Sequence, residues 1–251
     1  MVKPLTLVMA IYGQPMILAK QVETIIAYDD VVLDKLHVII VDDHGEPAVG
    51  VDVAEQLAPF VASVRVFRVD DDIPWNQMGA RNLGMTKADG WCCMIDPDMI
   101  FDSPTLHRLM QATSAIQRGR IIKFGLKHVN SGKVDMTSPN TFAIHADDFR
   151  ICGGYDEDFA GNKGWSDVQL QEVYRQHFKV QERPDLTASF YSSNDEIPDA
   201  IVKTLDRNVA ENRVKRLKKQ GQQKACGGWR RWVSKHKGPN LRFQWTQIFP
   251  T

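Results

Sequence analysis

No apolar run in this chain approaches the roughly 20 residues that a membrane-crossing helix needs. The first residues lack the basic-then-apolar layout of a secretion signal, so the expected setting is the cytosol. Cysteine is scarce: Cys92, Cys93, Cys152 and Cys226 form no C-x-x-C pair, which argues against a structural zinc. Neighbours within a strand point to opposite faces of the sheet, so Cys92 and Cys93 are expected as reduced thiols. Net charge is missing too, with 31 Lys and Arg against 31 Asp and Glu. There is no internal repeat and no low-complexity segment. What remains is 251 residues, 43% of them apolar, enough for one sizeable soluble core.

The balanced charge hides an asymmetry. From Glu211 onward the chain carries Arg213, Lys215, Arg216, Lys218, Lys219, Lys224, Arg230, Arg231, Lys235, Lys237 and Arg242, opposed only by Glu211. Residues 211–251 are therefore expected to be a basic helix and tail appended to a body of residues 1–210, with a linker at 221–228. Such a segment suits phosphate, nucleic acid or a membrane surface, or is simply a solvated helix face followed by a loose tail. Trp229, Trp232, Phe243 and Trp245, interleaved with the cations, would suit base stacking beside phosphate contacts.

Along the body, apolar runs alternate with helical periodicity. Strands are expected over residues 5–10, 36–41, 64–69 and 91–95, and helices after residue 15 and over 53–60, 77–85 and 104–117, the last capped by Ser103 with Pro104 at its first position. This alternation predicts an α/β fold, a mostly parallel Rossmann-like sheet flanked by helices. Beyond residue 119 the rhythm becomes α+β, with extended runs at 121–126 and 141–144, a helix from near Asp167, and a later one suggested by Ile201, Leu205, Val209 and Leu217.

Two expected strands end in acid: Asp42-Asp43 and Asp96-Pro97-Asp98. The carboxyl ends of parallel strands open into the ligand crevice, so carboxylates there point to a metal and nucleotide site. A hard cation takes oxygen ligands and leaves room for substrate phosphates. Pro97 fixes the turn between Asp96 and Asp98 and biases Asp96 away from helical geometry.

In order and spacing these pieces resemble the GT-A glycosyltransferases, particularly the family 2 enzymes and the related galactosyl- and N-acetylgalactosaminyltransferases. The resemblance runs from about residue 5 to 177 and rests on Leu7-Val8-Met9-Ala10-Ile11-Tyr12, Ile40-Val41-Asp42-Asp43, Gly79-Ala80-Arg81-Asn82-Leu83-Gly84, Asp96-Pro97-Asp98, Gly153-Gly154-Tyr155-Asp156-Glu157 and Gly164-Trp165-Ser166-Asp167. It implies a GT-A fold, with a nucleotide-sugar half at about 1–120 and an acceptor half at about 121–210. It implies Mn2+ or Mg2+ on Asp96 and Asp98, and a donor, a UDP-sugar by resemblance, held by Ala10, Ile11, Tyr12, Asp42 or Asp43, Arg81, Asn82 and Asp96. Gly153, Gly154, Tyr155, Asp156, Glu157 and Trp165 would lie by the sugar and acceptor, and Asp167 would be the catalytic base of an inverting transfer. Ser166 stands where the family usually has a first acid, leaving the proton to Asp167 alone.

A histidine that often serves as third metal ligand is missing from residues 190–198, where Asn194 or Asp195 could substitute; His177 and His236 read as ordinary histidines. The expected activity is metal-dependent sugar transfer to a hydroxyl on a saccharide or glycan. Two alternatives stand beside it: transfer to hydroxylated bases of DNA, motivated by the basic tail, and a non-catalytic nucleotide-sugar-binding module. Nucleotidyl transfer to sugar phosphates is disfavoured, because Ala10-Ile11-Tyr12-Gly13-Gln14-Pro15 lacks the glycine-rich phosphate loop with a following basic residue.

Overall fold

The first apolar run becomes strand β1 (Leu5–Ile11), buried at every position. In the computed structural model, which describes residues 2–192, 197–199, 209–226 and 239–250, it is followed by α1 (Pro15–Ile26), α2 (Asp30–Leu33), β2 (Leu36–Asp42), α3 (Gly50–Leu57), β3 (Ser63–Val69), α4 (Gln77–Lys87) and β4 (Trp91–Ile95). Then come β5 (Met99–Ile100), α5 (Ser103–Ala115), β6 (Arg120–His128), β7 (Val134–Asp135), β8 (Phe142–His145), α6 (Ala146–Cys152), α7 (Ser166–His177), β9 (Lys179–Phe190), α8 (Val209–Ala225) and β10 (Trp245–Phe249).

Strands β3, β2, β1 and β4 pair in parallel in that spatial order. β8 and β6 continue the sheet antiparallel to their neighbours, β9 returns parallel to β6, and β5 pairs antiparallel with β9. The chain winds outward from β1 to β3 and then crosses back to β4 on the other side of β1, so the order reverses between β1 and β4. That reversal opens a crevice at the strands' carboxyl ends.

Both faces of the sheet are covered, which is why its strands read as continuous apolar runs. Leu5, Leu7, Met9 and Ile11 of β1 join one core with Leu18 and Val22 of α1, Val53 and Leu57 of α3, and Leu106 and Leu109 of α5. Val8 and Ala10 join the other, with Met78 and Leu83 of α4, Phe149 of α6 and Leu170 and Tyr174 of α7. Cys93 and Cys92 divide between the same two cores, and all four cysteines are free.

Several expectations are corrected. The N-cap of α5 is Asp102, whose side chain accepts from the Thr105 N–H at 2.7 Å; Ser103 is the first helical residue and its hydroxyl donates to Asp29. The charged segment of β9 gave no strand signal. Leu186 and Ala188 are its buried residues, and a register shift against β6 between Phe124 and Gly125 skips three residues around Pro184. The supposed linker is helical through Gly221 to Ala225; residues 227 and 228 lie outside the described residues, as do Ile201 and Leu205. Nor are the last residues a loose tail: β10 pairs antiparallel with β3 at the edge of the sheet, and Phe243 is buried.

Helix α8 is fixed to the body by polar contacts. The Asn212 side chain donates to the carbonyls of Phe159, Asn162 and Gly164 at 3.2, 2.7 and 3.1 Å, Arg216 pairs with Glu172, and Lys219 pairs with Asp156 and Asp158. Buried carbonyls left without a donor are costly. Asn212→Ala is expected to lower stability by about 1–3 kcal/mol, measured as a shifted urea midpoint at unchanged slope.

Candidate active site

A cavity of about 490 Å3 opens at the order reversal, within the range of ligand sites. Its walls include Ala10, Ile11 and Tyr12 from the end of β1, Asp43 after β2, Asp96, Pro97 and Asp98 after β4, and Asp167 from the first turn of α7. Four widely separated stretches of sequence thus meet in one space.

The pair after β2 separates into two roles. Asp42 is buried and accepts from the Arg68 guanidinium at 2.6 Å and from the Gly45 N–H at 2.8 Å. Asp43 lines the cavity, its carboxylate accepting from Asn76 at 3.1 Å. The turn between them and β1 is tight: a Cβ on Gly45 would lie 2.0 Å from the Gly13 nitrogen, so only glycine fits. Burial pushes the Asp43 carboxyl up to about 7, against the bond from Asn76 and with the help of Asp42 and Asp72.

The Asp96-Pro97-Asp98 turn is clamped from beneath by Gln21 of α1, which donates to the carbonyls of Pro97 and Met99 at 3.0 and 2.7 Å. Asp96 accepts from Gln77 at 3.1 Å, from Asn140 at 2.6 Å, and from Arg81. One carboxylate oxygen of Asp98, Oδ1, is buried with no hydrogen-bond partner. Burial, followed by the neighbouring charge of Asp96, raises the Asp98 carboxyl well above the usual range. A buried carboxylate oxygen without a donor, facing a second carboxylate, suits a hard cation. Among the described residues no cluster of three His, Cys, Asp or Glu side chains could hold a metal, so a cation held by Asp96 and Asp98 would need its other ligands from elsewhere. Asn194 and Asp195 lie outside the described residues, as does His236; His177 bonds to the Val173 carbonyl at 2.9 Å within its own helix.

Arg81 joins these parts. It is 3% exposed, and its guanidinium donates to Asp96, to Asp167 at 2.6 Å and to the Tyr155 hydroxyl at 3.2 Å. Burial disfavours its charge, yet Asp96, Tyr155 and Asp167 outweigh that and hold it protonated. Asn82, expected at the donor, lies fully buried below the cavity instead. Its amide bonds the backbone N–H and carbonyl of Tyr155 and the carboxylate of Glu157.

The Gly153–Glu157 stretch likewise serves the framework. Gly153 ends α6 at φ 83°, and Gly154 packs its backbone against Asn82 and Phe149. Asp156 caps the following turn and meets Gln169 and Lys219. Glu157 accepts from Asn82 and from the N–H groups of Leu241 and Arg242 at 3.0 and 3.1 Å. Trp165 precedes α7 at φ 70°, with the Arg216 guanidinium 4.9 Å from its ring centre; it does not line the cavity, whereas Gly164, Ser166 and Asp167 do.

Sequence reasoning missed Gln77, Asn140, Ser138, His128, Asp135, Asp72 and Lys163 in the cavity wall, and Gln21 beneath it. Isolated polar residues carry no periodicity, so only the fold gathers them. Phe243 and Trp245, which had suggested base stacking, are engaged in packing: Phe243 is buried, and Trp245 meets Phe67 edge-on at 5.8 Å with the Lys87 ammonium over its ring, 3.9 Å from the ring centre. Trp229 and Trp232 lie outside the described residues.

The raised Asp43 carboxyl has a signed consequence. Between the ordinary carboxylate range and about pH 7 the folded protein holds a proton that the unfolded chain has lost, so stability falls as pH rises through that window. Asp43→Asn keeps an acceptor for Asn76 and removes the penalty. It is expected to raise stability at pH 8 by on the order of 1–3 kcal/mol with little change at pH 4, read from urea unfolding at both values.

Comparison with known proteins places this arrangement. A search of curated protein sequences found no match. Among solved structures, S. aureus TarS 1–349 in complex with UDP-GlcNAc superposes with a TM-score of 0.63 at 11% identity, covering 79% of this chain and 61% of that one. The same protein in complex with UDP gives 0.61 at 11% identity, covering 78% and 63%. This chain therefore spans less than two thirds of the TarS fragment, and the likeness is one of fold, the GT-A arrangement of a mostly parallel sheet flanked by helices. The family model described as glycosyl transferase family 2 matches residues 6–161, well over half of the sequence, and the chain belongs to that family.

Proposed function

We propose that this protein transfers a sugar from a UDP-sugar donor to a hydroxyl group of a saccharide or glycan, with inversion at the anomeric carbon, assisted by Mn2+ or Mg2+ on Asp96 and Asp98. The observation that carries this reading is the buried, partnerless Asp98 oxygen beside Asp96 in a cavity that also holds Asp43, Asp72, Asp135 and Asp167. Among the described residues of the wall, six acids against one lysine, Lys163, disfavour a diphosphate unless further positive charge accompanies it. A divalent cation, when bound, would act as Lewis acid on the departing diphosphate. The UDP assignment is supported by the UDP-GlcNAc and UDP complexes of TarS.

The chain's own residues then divide the work. Asp43 accepts from a nucleobase N–H or a ribose hydroxyl, and Tyr12, 37% exposed at the cavity edge, stacks on the base. Arg81 keeps Asp96 and Asp167 at a fixed separation, so that the donor and the acceptor meet in one geometry. Asp167 takes the acceptor hydroxyl proton as that oxygen bonds to the anomeric carbon, and the bond from that carbon to the diphosphate oxygen breaks, releasing UDP. Attack opposite the leaving group inverts the centre.

With purified protein, Mn2+ and a panel of UDP-sugars and glycans, UDP release is expected with one donor and is expected to stop on chelation. Asp167→Asn is expected to reduce turnover by about 100- to 10,000-fold while UDP binding, followed by calorimetry with Mn2+, stays within a few fold. Asp98→Asn is expected to lose the Mn2+-dependent part of that binding. An Asp167→Asn protein with near-normal turnover would remove the base from this scheme.

A further inference from the structure

Helix α8 is turned inside out with respect to ordinary burial. Its buried residues are Asn212 and Gln223, and Arg216 and Lys219 reach inward to acids of the body. Its hydrophobic side chains face solvent: Val214 is 66% exposed, Leu217 55% and Val209 43%. At 3.6 residues per turn, Ala210, Val214, Leu217, Gly221 and Ala225 form one outward stripe, and all are exposed. Arg213 and Lys224 flank the stripe on one side and Lys218 on the other, exposed as well. The helix's one acid, Glu211, pairs with Lys215 at 3.2 Å, away from the stripe's centre.

We propose that this face docks on an anionic lipid surface. An apolar stripe rimmed by cations matches a bilayer interface, where aliphatic side chains enter the acyl boundary while Lys and Arg extend to the headgroups. The rim argues against the other occupants. A second copy of the same face would bring cation against cation, and a nucleic acid would meet the cations but leave Val214 and Leu217 without an apolar counterpart. The binding is weak and reversible, because the stripe is short and the attraction rests on three exposed cations, each contributing about fivefold. Asn212 ties α8 to the carbonyl of Gly164, and Gly164 lines the cavity, so a docked helix holds the cavity's α7 side close to the surface.

The test is co-sedimentation of the full-length protein with vesicles of phosphatidylcholine, with and without phosphatidylglycerol. Binding is expected only where phosphatidylglycerol is present and is expected to weaken at high salt. The double variant V214D/L217D is expected to bind at least about tenfold more weakly. R213E/K218E/K224E is expected to lose binding altogether, and all substituted side chains are exposed, so thermal melts should match the parent. The proposal is overturned if no vesicle is bound, if V214D/L217D binds like the parent, if Leu217→Asp splits a dimer seen by light scattering, or if R213E/K218E/K224E loses affinity for duplex DNA and not for vesicles.

Discussion

One buried cation, Arg81, organises the face that carries the cavity. Arg81 sits on α4, beneath a cavity with six aspartates in its wall, and touches residues from three other parts of the chain: Asp96 after β4, Tyr155 after α6 and Asp167 on α7. Without its charge, Asp96 and Asp167 would repel each other across a poorly solvated space, and each would lose a charge-assisted bond. Its position follows from the burial of α4, in which every residue from Met78 to Met85 is buried; Met78, Leu83 and Met85 join the core on that side of the sheet, and Arg81 reaches Asp96 just after β4. Tertiary packing thus sets the electrostatics of the site.

The parts of this arrangement that could be read in advance were those encoded locally. Continuous apolar runs marked β1, β2 and β4, the last two ending in acid, because strands covered on both faces need no polar alternation. The Asp96-Pro97-Asp98 turn was visible because proline and paired carboxylates after a strand have few other uses. The neighbouring Asp42 and Asp43 could not be told apart, since which one meets Arg68 depends on a strand some 25 residues away. The Gly153–Glu157 segment could not be placed for a similar reason: its acids could as well bind substrate hydroxyls, and only long-range contacts, of Glu157 with Asn82, Leu241 and Arg242 and of Asp156 with Gln169 and Lys219, tie them to the framework. β9 and β10 escaped notice because their residues face water on at least one side and their pairing partners lie far away in sequence.

The same contrast explains α8. A basic, weakly apolar helix at the end of a chain reads as an appendage, yet Asn212 satisfies three carbonyls of the loop that leads into α7. The loop that leads to Asp167, the proposed base, is thereby held by a helix that follows it in sequence by about fifty residues. Apolar burial plays little part in this contact; directional polar bonds hold the helix in place, which leaves its hydrophobic side chains free to point outward.

β10 has a further role that concerns self-association. β3 would otherwise end the sheet as an open edge, with Val64, Val66, Phe67 and Val69 in its apolar faces and its backbone donors and acceptors available to any passing strand. β10 occupies that edge, and Glu157 fastens the residues just before it. β10 therefore acts as a guard strand: as long as it stays docked, the β3 edge offers no template for edge-to-edge aggregation.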